Sequence, residues 1–168
     1  MTEVRALLLA AGLGTRLRPL TDKWPKCLMP IGGRPLLEYW LETLWQSGVR
    51  EVLVNLHYFP EVVQDFLDRP RFRHWVHSVN EPQLQGTAGT LISNIDFFRK
   101  GTVLLVHADN WCQCRFKDFI EFHKHKRPKG TLMTMMTFDT KAPESCGIVE
   151  TDHLGVVQAF YEKVTNPP

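Results

Sequence analysis

Residues 9–20, LAAGLGTRLRPL, set Gly12 and Gly14 two apart and follow them with Arg16 and Arg18. A glycine turn lets backbone N–H groups come close to phosphate oxygens, and an arginine just after it offers the same oxygens a planar fork of donors. The chemistry that fits is a polyphosphate cradle. The glycines alone suit equally a plain strand-to-loop turn with solvated arginines. Neither familiar glycine loop is present: Leu17 stands where G-x-G-x-x-G needs its last glycine, and no G-x-x-x-x-G-K-[ST] occurs. A few residues on, Lys26 lies between Pro25 and Pro30, which stiffen the backbone around one cation.

Taken together, LAAGLGTRLRPLT (9–21) and PKCLMP (25–30) closely resemble the double signature of the sugar-phosphate nucleotidyltransferases, in the manner of the mannose-1-phosphate guanylyltransferases. That family joins a nucleoside triphosphate to a sugar 1-phosphate and releases pyrophosphate. The resemblance implies that Leu9, Ala11, Gly12, Gly14 and Thr15 wrap the nucleotide, that Arg16 meets the departing pyrophosphate, and that Lys26 sits near the reacting phosphates.

NEPQLQGTAGTL (80–91) also resembles the family, whose G-T-A-G loop opens a helix beside the nucleobase; Gly86 and Thr87 would line the base. By itself the stretch suits a helix start with Thr87 as its capping hydroxyl. Glu81 occupies a place where pyrimidine-using members usually carry Gln. A carboxylate only accepts hydrogen bonds, and guanine presents two adjacent donors, so Glu81 leans the expectation toward GTP. In VLLVHADN (103–110), Asp109 falls at the carboxyl end of a buried strand, where a hard oxygen ligand could hold Mg2+ together with substrate phosphates. One Asp there also suits a turn or cap. Ala108 replaces the family's usual Gly.

The final stretch, CGIVETDHLGVVQAFYEKVTNPP, resembles the family's sugar-binding portion: Gly147 would face the sugar, Glu162 its hydroxyls and Lys163 the sugar phosphate. Val164 replaces a usual Pro, and Cys146 stands where an aromatic is common. Family members continue beyond this strand with a sugar-contacting Asn and a second metal-binding Asp. The chain ends at Pro168, so the expectation is nucleotide binding ahead of turnover.

These residues need a scaffold that brings loops to one edge. VRALLLA (4–10) is an apolar run without alternation, as suits a strand buried on both faces. PLLEYWLETLWQSG reads as an amphipathic helix ended by Gly48, and EVLVNL as the next buried strand. PEVVQDFL, GTAGTLISNIDFF and FKDFIEFHKHK read as helices; RHWVHSV, TVLLVH, TLMTMMTF, CGIVET and VVQAFYEK read as strands. Strands alternating with helices imply right-handed crossovers and a three-layer α/β/α sandwich on a mostly parallel, Rossmann-like sheet. No repeat or linker divides residues 1–168, which read as one domain.

A formal charge of +2 is too small for the footprint of a general nucleic-acid binder, and no run approaches the roughly 20 apolar residues of a membrane span. A cytoplasmic protein acting on small anions is expected, with no nucleic-acid or membrane partner and a homo-oligomer left open. Cys27, Cys112, Cys114 and Cys146 lack zinc-site spacing and read as reduced bystanders. His123 and His125 sit among Lys124, Lys126 and Arg127 and read as a basic helix end. The expected function is transfer of a nucleoside monophosphate, GTP favoured, to a mannose-type sugar 1-phosphate for nucleotide-sugar and polysaccharide synthesis. The alternatives are a glucose-1-phosphate thymidylyl- or uridylyltransferase and a non-catalytic nucleotide-binding module. A dinucleotide oxidoreductase is disfavoured by Leu17.

Overall fold

The computed structural model describes residues 3–164, in the order β1 (Glu3–Leu9), β2 (Pro30–Ile31), β3 (Arg34–Pro35), α1 (Leu36–Gln46), β4 (Glu51–Leu56), α2 (Pro60–Leu67), β5 (Val76–Asn80), α3 (Gly86–Ser93), α4 (Ile95–Phe98), β6 (Gly101–His107), α5 (Phe116–Glu121), β7 (Gly147–Thr151) and β8 (Val157–Glu162). Although no linker marks a boundary, the packing separates the chain into two compact units, residues 1–117 and 118–168.

The first unit is built on a four-stranded sheet in the order β5-β4-β1-β6, parallel throughout. The apolar runs set it up: Ala6, Leu7, Leu8, Val52, Val54 and Leu56 are all buried. Because successive strand residues face opposite ways, Leu7 and Leu53 pack one face with Phe98, Leu91 and Phe97 of the α3–α4 side, while Ala6 and Leu8 point to the other. The steps from β1 through β4 to β5 run one way and the return to β6 runs the other. Right-handed crossovers therefore put α1 and α2 on one face and α3 and α4 on the opposite one. The three-layer expectation holds for this unit. In register, Leu9 stands beside Asn55 and His107, and Leu56 beside Asn80, so the carboxyl ends of all four strands share one edge. The strand order reverses at β1, between β4 and β6, the switch point where open α/β sheets leave a crevice for ligands.

The second unit contains the antiparallel β7–β8 pair, closed by a turn in which Asp152 Oδ1 accepts the N–H groups of Leu154 and Val156 at 2.9 Å each and Gly155 takes φ 75°. The chain of α5 continues as a wider π-helical turn, Phe122–Lys126. Three expectations are corrected. Residues 131–140, which include TLMTMMTF, form no strand: Thr, Met and Phe suit a pleated surface, but among the described residues no neighbouring strand completes a ladder, and Leu132 and Phe138 stay exposed. The strand expected over RHWVHSV begins only at Val76, because residues 69–73 are tied into turns, with the N–H of Val76 bonded back to the carbonyl of Phe72. The helix expected across GTAGTLISNIDFF breaks at Asn94, whose side chain donates to the Thr90 carbonyl at 2.8 Å.

Candidate functional site

The glycine stretch leaves β1 at the switch point. Gly14 is left-handed, φ 64° and ψ 28°, and turns the chain into a single 3-10 turn, Thr15–Leu17. Its carbonyl accepts the N–H of Leu17 at 2.9 Å and the hydroxyl of buried Thr21 at 2.8 Å. A Cβ at Gly14 would lie 2.8 Å from Thr21 Cγ2 and 3.1 Å from Lys26 Cβ, so only glycine lets the loop lie down on the lysine segment. At Gly12, by contrast, nothing stands within 4 Å of where a Cβ would be, and this residue is exposed. Arg16 is exposed as well, whereas Arg18 pairs with Asp22 at 3.3 Å. Leu9 packs its side chain against the core cluster and Ala11 is buried, so what these two can offer a ligand is backbone.

Lys26 begins a 3-10 turn, Lys26–Leu28, entered through the extended Pro25. Its Nζ reaches Asp109 Oδ2 at 2.8 Å. Asp109 follows β6, where the N–H of Ala108 is held by the Leu9 carbonyl at 3.0 Å and the carbonyl of Asn110 receives the indole N–H of Trp40 at 2.9 Å. The glycine loop, one lysine and one carboxylate therefore meet at the β1–β6 crevice. Beside them, burial pushes the Cys27 thiol up to about 12, against the pull of backbone N–H groups at Cys27 and Leu28; it stays protonated and is no nucleophile.

Among the described residues no group of three or more His, Cys, Asp or Glu could hold a metal unaided. Asp109, 35% exposed at its side chain, is the carboxylate open to a cation here. It fits Mg2+, which needs only one or two carboxylates when phosphates complete the shell.

Gly86 opens α3 at φ 71° and is exposed with Thr87 and Ala88. Glu81 is different. The expected base-facing carboxylate is 1% exposed and turned inward: Oε1 accepts the Thr90 hydroxyl at 2.6 Å and Asn55 Nδ2 at 3.3 Å, and Oε2 accepts the Gln85 N–H at 3.4 Å. With its oxygens covered, Glu81 does not face a base, and the guanine expectation loses that support. Asn55 and Thr21 went unnoticed in the sequence. Asn55, a polar side chain that interrupts the apolar run from Val52 to Leu56, was the available signal.

The residues expected to meet the sugar lie together on the hairpin of the second unit. Gly147 is paired with Glu162, and a Cβ there would come within 2.4 Å of Phe160 Cζ and 3.1 Å of Glu162 Oε2. Lys163 takes φ 51°, donates its N–H to the Cys146 carbonyl at 3.1 Å, and sets Nζ 3.4 Å from Glu162 Oε1.

The model of the nucleotidyl transferase family matches residues 5–168. The chain belongs to the nucleotidyl transferase family. The chain is 31% identical over 167 residues to a mannose-1-phosphate guanylyltransferase of Mycobacterium tuberculosis, covering 99% of this chain and 46% of the relative. It is 32% identical to the mannose-1-phosphate guanyltransferase of Saccharomyces cerevisiae, covering 95% and 45%. It thus spans a little under half the length of these curated relatives. Among solved structures it is similar to HddC of Yersinia pseudotuberculosis complexed with GMP-PN, with TM-score 0.70 and 24% identity over 95% of this chain and 69% of that one. A Bacillus anthracis protein assigned as a glucose-1-phosphate thymidylyltransferase and solved with sucrose gives TM-score 0.80 and 19% identity, covering 98% and 66%. These two share the fold. No helix among the described residues is long and apolar enough to cross a membrane.

Proposed function

We propose that this chain binds GTP at the β1–β6 crevice and transfers its nucleoside monophosphate to mannose 1-phosphate, acting in the cytoplasm. The observation that carries the reading is the meeting of the Gly14 loop with Lys26 and Asp109 at the sheet's switch point. Guanine and mannose are supported by the guanylyltransferases at 31–32% identity.

In this reading the N–H groups of the Gly12–Thr15 turn cradle the triphosphate, and Arg16 meets the β- and γ-phosphates. An oxygen of the sugar phosphate attacks the α-phosphorus in line. One P–O bond forms, the bond from the α-phosphorus to the bridging oxygen breaks, and its electron pair leaves on pyrophosphate. No protein nucleophile takes part; the protein positions the groups and neutralises charge. Lys26 exchanges Asp109 for phosphate, and Gly147, Glu162 and Lys163 take the sugar 1-phosphate. Asp109, together with the phosphates, would hold Mg2+, which would supply further charge neutralisation.

The test is pyrophosphate release from each of GTP, ATP, UTP and dTTP, with mannose 1-phosphate or glucose 1-phosphate. The reading expects GTP with mannose 1-phosphate to lead. A lead for UTP or dTTP with glucose 1-phosphate overturns the substrate choice. Triphosphate binding without release would favour a non-catalytic nucleotide-binding module.

A further inference from the structure

Three buried polar side chains gather at the carboxyl edge of the sheet and the start of α3: Asn55, Glu81 and Thr90 are 3%, 1% and 0% exposed. They form one chain of hydrogen bonds. The N–H of Ala10, the first residue after β1, donates to Asn55 Oδ1 at 2.8 Å. Asn55 Nδ2 donates to Glu81 Oε1, which also receives the Thr90 hydroxyl, and Glu81 Oε2 receives the Gln85 N–H just before Gly86. The Glu81 backbone is fixed as well, its N–H on the Leu56 carbonyl at 2.8 Å and its carbonyl 2.7 Å from His57 Nδ1. The connection runs from the start of the glycine loop, through the ends of β4 and β5, to the loop that opens α3.

Only an acceptor-only group suits the central place, because three donors converge on it; a glutamine would turn its NH2 toward one of them. We propose that Glu81 is a positioning residue that couples the Ala10–Gly14 loop to the Gly86 loop through Asn55, and so sets affinity for all nucleoside triphosphates alike without reading the base. The affinity part rests on the triphosphate reading above; the coupling does not.

The test uses the whole chain and Glu81→Gln. Without ligand, amide hydrogen exchange at both Ala10 and Gln85 should speed up by roughly tenfold, the loss of about one buried hydrogen bond, while Ala108, bonded to the Leu9 carbonyl, stays unchanged. Thr90→Val, which removes the 2.6 Å donor, should act the same way, and Thr90→Ser should restore slow exchange. These two variants carry the test if Glu81→Gln does not fold. By calorimetry, affinities for GTP, ITP and UTP should fall by a common factor. Unchanged exchange at Ala10 overturns the coupling, and a loss confined to GTP, with ITP spared, shows base reading instead. If the unaltered chain binds none of the three, the triphosphate reading and the affinity part fall, and the exchange result still decides the coupling.

Discussion

Lys26 Nζ lies 2.8 Å from Asp109 Oδ2 across 83 residues of sequence, joining the segment after the glycine loop to the end of β6. Both side chains keep partial access to solvent, 19% and 35%, and an ion pair of that kind contributes at most about 1 kcal/mol to folding. In the triphosphate-binding reading proposed above, the pair holds a cation in place for an arriving phosphate. Lys26→Ala should therefore cost about 1 kcal/mol or less in urea unfolding yet weaken triphosphate binding by roughly tenfold or more in calorimetry. Large destabilisation with unchanged binding would assign Lys26 to the fold alone.

The two glycines of the loop should separate stability from binding. Gly14→Ala meets both a left-handed backbone and Thr21 Cγ2 at 2.8 Å, and should lower unfolding free energy by about 2 kcal/mol or more. Gly12→Ala meets nothing within 4 Å and should change stability by less than about 0.5 kcal/mol, while weakening nucleotide binding if the proposed triphosphate lies against this turn. Equal effects of the two on stability would contradict the packing described for this turn.

Acid should reveal the network on α1. Hydrogen bonds from Arg34, then Arg71, hold the Glu42 carboxyl below the usual carboxylate range, outweighing partial burial. A depressed native value means that the unfolded chain binds the proton more readily, so this contribution is full above the ordinary carboxylate value and fades as pH falls through the native one. In urea titrations between about pH 6 and pH 3, Glu42→Gln should flatten the acid-side loss of stability, and an unchanged slope would show that Glu42 does not take part.

Cys27 provides a control at the site. With its thiol pushed up to about 12 by burial, it should resist iodoacetamide at pH 8 in the native protein and react once urea unfolds the chain, as read by mass spectrometry of the peptide. Rapid native alkylation would show that this segment opens.

Much of the scaffold was legible because its signals are local. VRALLLA and EVLVNL are apolar without alternation and became adjacent parallel strands, and Gly48, at φ 88°, follows the end of α1 as a stop should. TLMTMMTF misled because strand propensity is a property of side chains, whereas a strand exists only when another one pairs with it. Glu81 misled for a related reason. Its letter shows an acceptor, but the donors that turn it inward come from β4, the Gln85 backbone and α3, and only folding collects them. The division at Lys117 leaves no trace in composition, because packing and not a linker makes it.

Backbone amide NMR shows whether the Gly12–Arg16 turn holds a triphosphate. On addition of GTP with Mg2+, the amides of Gly12, Gly14, Thr15 and Arg16 should shift together with those near Lys26 and Asp109. In Arg16→Ala, whose exposed side chain should cost the fold no more than about 0.5 kcal/mol, saturation should require roughly tenfold more GTP. Amides of this turn that stay in place at millimolar GTP, or identical titrations of Arg16→Ala and the unaltered chain, would contradict the account.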